Sequence, residues 1–173
     1  GIQGRGVLLD LRAHFGDARR MVGYDDIAHV IQADGVAVET GDILCLHTGF
    51  ADLVMGMDGA PDAEVLANAC CVLDGRDDRL LQWITDNGIA AIAADNYAVE
   101  GLPARPALKP EHAVMPLHHH CLFTLGLPLG AMWWLTDLAA YLRTNGRSRF
   151  LLTAPPLRLP GAAGSPVTPI ATV

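Results

Sequence analysis

The chain reads as an α/β domain with a mixed sheet and flanking helices, and three observations predict it. Short apolar runs rich in Leu, Ile and Val alternate with longer segments whose apolar residues recur at helical spacing. Glycine, proline or charged turns bound each run. At 173 residues, 51% hydrophobic and 18% charged, the chain has the length and apolar content for one well-buried core.

Residues 6–11, GVLLDL, form an apolar run opened by glycine, which predicts a buried strand. Residues 24–33, YDDIAHVIQA, place Ile27, Val30 and Ile31 on one helical face, with Asp25 and Asp26 in the first turn and Gly35 just past the end. Gly41-Asp42 signals a turn, after which residues 43–48, ILCLHT, make a second strand that stops at Gly49. Residues 77–87, DDRLLQWITDN, gather Leu80, Leu81 and Ile84 on one face before Gly88, and residues 89–94 follow as a third strand. Three prolines within residues 102–110, LPARPALKP, exclude regular structure and mark an ordered loop or a lid. Helices are expected over 118–125 and 135–142, and a strand over 150–153. Two prolines in the closing SPVTPIATV exclude a central strand there. No internal repeat or composition shift divides the chain, so residues 1–173 read as a single domain.

A formal charge of −7 argues against a nucleic-acid surface, which requires clustered Lys and Arg. A small-molecule substrate fits better. No stretch approaches the ~20 apolar residues of a membrane helix, and no basic segment leads a cleavable signal, so no membrane partner and a cytoplasmic location are expected. Cys45, Cys70, Cys71 and Cys121 contain no CxxC pair and read as reduced, partly buried thiols.

Three consecutive histidines, His118, His119 and His120, lead into an apolar run where solvated imidazoles have no place. Neutral imidazole is the commonest protein metal ligand, yet helical neighbours project about 100° apart, so one or two of the three could reach a single ion. A hydrogen-bonded core histidine is the competing reading for each. Asp95, at the end of the third strand, could orient a site histidine or simply form a turn before Asn96. Glu100 reads as a solvated loop glutamate, with a site acid as the alternative. His47 sits among apolar strand neighbours and could face a cleft; His14, His29 and His112 read as surface residues. Met132, Trp133 and Trp134 could wall an apolar pocket or belong to a core or subunit interface. No GxSxG elbow, GxGxxG turn or P-loop is present, and GLPLG at 126–130 fits a turn rather than a phosphate cradle.

Taken in order, GRGVLLDL, GDILCLHTGF, the strand ending in AADN, LHHHCLFTLGLPLGAMWWLTDLA and FLLTAPPLRLPGAAGSPVTPIA resemble the cyclase family of metal-dependent hydrolases, which includes bacterial kynurenine formamidase and isatin hydrolase. The resemblance implies a swivelling β/β/α fold, assembly as a homodimer or homotetramer, and a divalent ion, Zn2+ or Mn2+. It further implies metal-assisted hydrolysis of an amide or cyclic amide, a carbon–nitrogen bond other than a peptide bond.

In that family most metal ligands come from an HxGTHxDxPxH-type motif ahead of the GRGVLLD segment. This sequence holds no such motif, and Gly1 lies only a few residues before GRGVLLDL, so the chain is expected to be the C-terminal portion of a longer member whose catalytic residues lie upstream of Gly1. The family's second cluster is a histidine followed twelve residues later by a glutamate. His119 falls on the histidine position, with His118 as the alternative register, and Ala131 stands where the glutamate would be. Ser165 matches a terminal family signature and is expected to be structural or substrate-facing. Trp133, Trp134 and the 102–110 loop would wall the pocket, with Asp95 behind the site. A metal-free binding or scaffold protein of the same fold is the alternative.

Overall fold

The computed structural model describes residues 1–107 and 113–173. The first half of the chain runs β1 (Ile2–Asp10), α1 (Leu11–Phe15), β2 (Arg20–Val22), α2 (Tyr24–Ala33), β3 (Ile43–His47), α3 (Phe50–Gly56), α4 (Ala63–Ala67) and β4 (Cys71–Leu73). The second half continues with α5 (Asp78–Asp86), β5 (Ala91–Ala94) and α6 (Pro116–His118), which runs directly into a π-helical turn (His119–Leu125). After it come β6 (Leu129–Gly130), α7 (Thr136–Thr144), β7 (Arg149–Ala154) and β8 (Ile170–Thr172).

Six strands make one mixed sheet in the order β6-β5-β3-β1-β7-β8, and β2 and β4 form a separate two-stranded parallel ribbon. The expected α/β architecture is therefore observed. β1 is the pivot: Gly6 to Asp10 pair in parallel with β3, while Ile2 to Val7 pair antiparallel with β7. That second partner explains why β1 starts four residues earlier than its apolar run suggests. Proline-limited β8 is confined to the sheet edge, as its composition requires.

Alternation along the strands divides the core into two layers. Val7 and Leu9 of β1, with Leu44, Leu46 and Ile92, face a layer closed by Ile27 and Val30 of α2, Leu80 and Ile84 of α5, and Leu117 of α6. Leu8, Ile43, Cys45, Ala91 and Ala93 point the other way, against Trp133, Leu135 and the Ala139–Leu142 stripe of α7. Asp77 fastens α2 to α5: Oδ1 accepts the Arg79 and Leu80 amides, and Oδ2 accepts the Tyr24 amide at 2.7 Å. The parallel strands β1 and β3 end in Asp10 and His47, and Asp95 follows β5, so polar groups gather at the carboxyl edge where open α/β sheets place their sites.

Candidate functional site

The histidine triplet separates into three environments. Glu100, read from the sequence as a solvated loop residue, is instead wholly buried. Its Oε1 accepts the His118 amide at 2.9 Å and His118 Nδ1 at 2.7 Å, and Oε2 accepts the Leu117 amide at 3.1 Å. The carboxylate thus caps the start of α6 and fixes one imidazole at the same time. With Nδ1 engaged, Nε2 is the ring nitrogen left for another partner, and the His118 side chain keeps 26% of its exposure. His119 is exposed and stacks on Phe123 with ring centroids 5.3 Å apart. His120 Nε2 bonds Thr85 Oγ1 of α5 at 2.9 Å.

Local backbone strain marks the same spot. Val99, next to Glu100, has φ of 63°, a left-handed conformation that a β-branched side chain resists. Its amide bonds Asn96 Oδ1 at 2.7 Å, and Glu100 itself bridges to Leu73 at the end of β4. Gly75, just past β4, leaves room for the Glu100 carboxylate. A Cβ there would overlap Glu100 Oε2 and press on Leu117 N and Pro116 Cγ, each at 2.9 Å, so only glycine admits this approach.

A cavity of about 700 Å³ is lined among the described residues by Gly75, Arg76, Leu81, Arg105, His119 and His120 together with Asp78, Pro106, Ala113 and Pro116, with neither Glu100 nor His118 among them. Part of the predicted 102–110 loop, Arg105 and Pro106, therefore walls it; positions 108–110 and His112 lie outside the described residues. Arg105 pairs with Asp74 at 2.6 Å, whereas Arg76 donates to two backbone carbonyls, Arg105 O at 2.6 Å and Ala113 O at 2.9 Å.

Trp133, Trp134 and Ser165 meet elsewhere. With Ala131, Met132, Ile43 and Val167 they line a largely apolar cavity of about 580 Å³. Trp133 is mostly core, 7% exposed, with its indole over Gly130. Trp134 is half exposed and its Nε1 donates to Asp137 Oδ2 at 2.7 Å. The Ser165 hydroxyl contacts Leu157 O at 3.0 Å and Pro166 O at 2.8 Å, which fastens the C-terminal hairpin. The pair of positions that the family resemblance joins, His119 and Ala131, thus line two different cavities.

Asp95 serves the chain itself. Its carboxylate accepts the Thr48 amide, the Thr48 hydroxyl and the Gly49 amide at 2.6–2.8 Å, holding the turn from β3 into α3. Its hydrogen bonds go to no imidazole among the described residues. His47, expected at a cleft, is 3% exposed, and its Nδ1 donates to Asp10 Oδ1 at 2.8 Å while Arg143 takes Asp10 Oδ2. Burial by itself would raise the Asp10 carboxyl, but the His47 hydrogen bond and charge, the Ala13 amide and Arg143 outweigh it and hold it below the usual range. His47 Nε2 is buried without a partner among the described residues. All four cysteines are free and buried, and burial pushes the thiols of Cys45, Cys71 and Cys121 up to about 12 and that of Cys70 to about 11.

Those protonated thiols are poor metal ligands, and the carboxylates of Asp10, Asp95 and Glu100 are occupied by hydrogen bonds. Among the described residues no group of three or more His, Cys, Asp or Glu could hold an ion. His118, orientated by Glu100, can offer one nitrogen. These residues alone do not build a metal centre.

The family model Cyclase, described as "Putative cyclase", matches residues 1–101, more than half of the chain. The chain belongs to the Cyclase family. The matched region contains Asp95 and Glu100 and ends before the histidine triplet. A solved structure described as a novel cyclase is similar to this Cyclase-family chain at 31% identity and a TM-score of 0.83, covering 99% of it and 54% of that chain. A potential metal-dependent hydrolase with cyclase activity is 20% identical with a TM-score of 0.62, covering 98% and 64%. An isatin hydrolase bound to the product analogue thioisatinate is 15% identical with a TM-score of 0.69, covering 99% and 60%. The chain thus spans between 54% and 64% of the length of these relatives. No curated protein sequence matches it.

Proposed function

We propose that this chain is the C-terminal portion of a metal-dependent hydrolase that opens an amide or cyclic amide, a carbon–nitrogen bond other than a peptide bond. The observation that carries the reading is the buried Glu100 carboxylate on His118 Nδ1, which leaves Nε2 of a partly exposed imidazole available, next in the chain to two histidines that line a cavity. A fully buried carboxylate, a glycine that admits it and a strained neighbour are costly features to assemble around an idle histidine. Membership of the Cyclase family and the similarity to proteins described as a metal-dependent hydrolase and an isatin hydrolase support the reaction class. The ion we propose is Zn2+ or Mn2+, with most of its ligands, and the catalytic residues, supplied from outside the 173 residues. In this reading Glu100 keeps His118 in one tautomer and one orientation, and His118 Nε2 serves the ion as one of its ligands. The partners proposed are a small-molecule substrate and a second copy of the chain, in a cytoplasmic protein.

Two measurements on the longer protein that contains this chain test this together: elemental metal content per chain, and hydrolysis of an aryl formamide and of isatin. Near-stoichiometric zinc or manganese with turnover of either compound is expected, and His118→Ala should lower kcat/KM by roughly 10²-fold or more, with Glu100→Gln between the two. Unchanged turnover in His118→Ala would remove the histidine from the mechanism. Ala131, at the position of the family's metal-binding glutamate, favours a second reading, a metal-free protein that binds without catalysis. Negligible metal after reconstitution, with no hydrolysis, would select it.

A further inference from the structure

The cavity lined by His119 and His120 also holds two arginines. Among the described residues its lining brings Arg76, Arg105, His119 and His120 together with the carboxylate of Asp78. Asp74 neutralises Arg105 through its Nε. Arg76 is different. Its Nε and Nη2 bond uncharged backbone carbonyls, so among the described residues its positive charge faces no carboxylate in contact, and Nη1 has no partner. The two carbonyl contacts hold the guanidinium plane in one position, which spares a ligand the entropy of ordering a long side chain. About 700 Å³ is a volume suited to a small organic molecule.

We propose that this cavity is specific for ligands carrying a carboxylate, with Arg76 as the residue that determines that specificity and His119 and His120 as its flanking donors. The proposal rests on the hydrolase reading only in calling that ligand a substrate; the carboxylate is one the substrate already carries, apart from the bond to be cut. A carboxylate matches a fixed guanidinium better than a neutral amide of the same shape, because its two charged oxygens accept a charge-assisted pair of hydrogen bonds, and a single free guanidinium edge supplies too few donors for the extra oxygens and charge of a phosphate.

The test is binding to the full 173-residue chain at constant ionic strength, with benzoate, benzamide and inorganic phosphate as probes, followed by calorimetry and by the imidazole resonances of the histidines. Benzoate should bind at least about tenfold tighter than benzamide or phosphate, and shift His119 and His120. Arg76→Gln should reduce the preference for benzoate over benzamide to within about twofold, and Arg76→Lys should keep only part of it. Since Arg76 also ties two loop segments, the Lys variant decides the matter if the Gln variant does not fold. Equal binding of benzoate and benzamide, phosphate binding as tight as benzoate, or an undiminished preference in the folded variant would each overturn the proposal. None of these readouts needs turnover: lost selectivity in the 173-residue chain sinks the carboxylate subsite alone, and absence of metal and hydrolysis in the longer protein sinks the hydrolase reading alone.

Discussion

At the residue scale, buried carboxylates do most of the organising, each through a different set of donors. Glu100 holds α6 and His118, Asp95 holds the β3–α3 turn, and Asp10 joins β1, β3 and α7 through His47 and Arg143. Asp10 yields a pH prediction. Its folded carboxyl titrates below the ordinary value, so its contribution is fully present above the unfolded pKa near about 4 and is lost as pH falls through the folded value. Urea unfolding of the wild type and Asp10→Asn should therefore differ at about pH 5, with the gap shrinking as pH falls below about 4. A gap that widens on acidification would contradict the assignment. Sequence spacing could not separate the roles of these acids, because Asp95 and Glu100 sit in one irregular stretch, AADNYAVEG, and only their partners distinguish them. Glu100 lies eighteen residues from His118, a separation with no local signature.

At the element scale, α6 passes into a π-helical turn, and that irregularity lets three consecutive histidines face a buried carboxylate, a cavity and α5. Periodicity over residues 118–125 announces a helix but cannot announce an extra residue per turn. The missing side chain at Gly75 leaves the room that Glu100 and the start of α6 occupy. Gly75→Ala should leave the sheet intact, with unchanged far-UV circular dichroism, while costing roughly 1–3 kcal/mol and disturbing the His118 resonances before those of His47. Native stability and an unmoved His118 in the Gly75→Ala variant would show that the close packing is not required. The elements missed from the sequence, α1, α3, α4, β2, β4 and β6, run from two to seven residues, too short for a period of 3.6 or 2 to emerge.

At the scale of the whole molecule, the fold superposes on a solved cyclase with a TM-score of 0.83, while the chain spans only part of its solved relatives. We propose a homodimer or homotetramer, so light scattering should return the mass of two or four chains, and a single-chain mass at micromolar concentration would count against it. By itself the sequence determined the α/β class, the boundaries of α2 to the residue, those of β3 and α5 to within one, and the family, because each rests on local periodicity or on the order of contiguous blocks. Tertiary structure alone decided that Glu100 is buried against His118, that His119 and Ala131 line separate cavities, and that Trp133 belongs mainly to the core. The physical reason is that burial, hydrogen-bond partners and the lining of a cavity are set by residues distant in the chain that the fold brings together, and one-dimensional spacing carries no record of that approach.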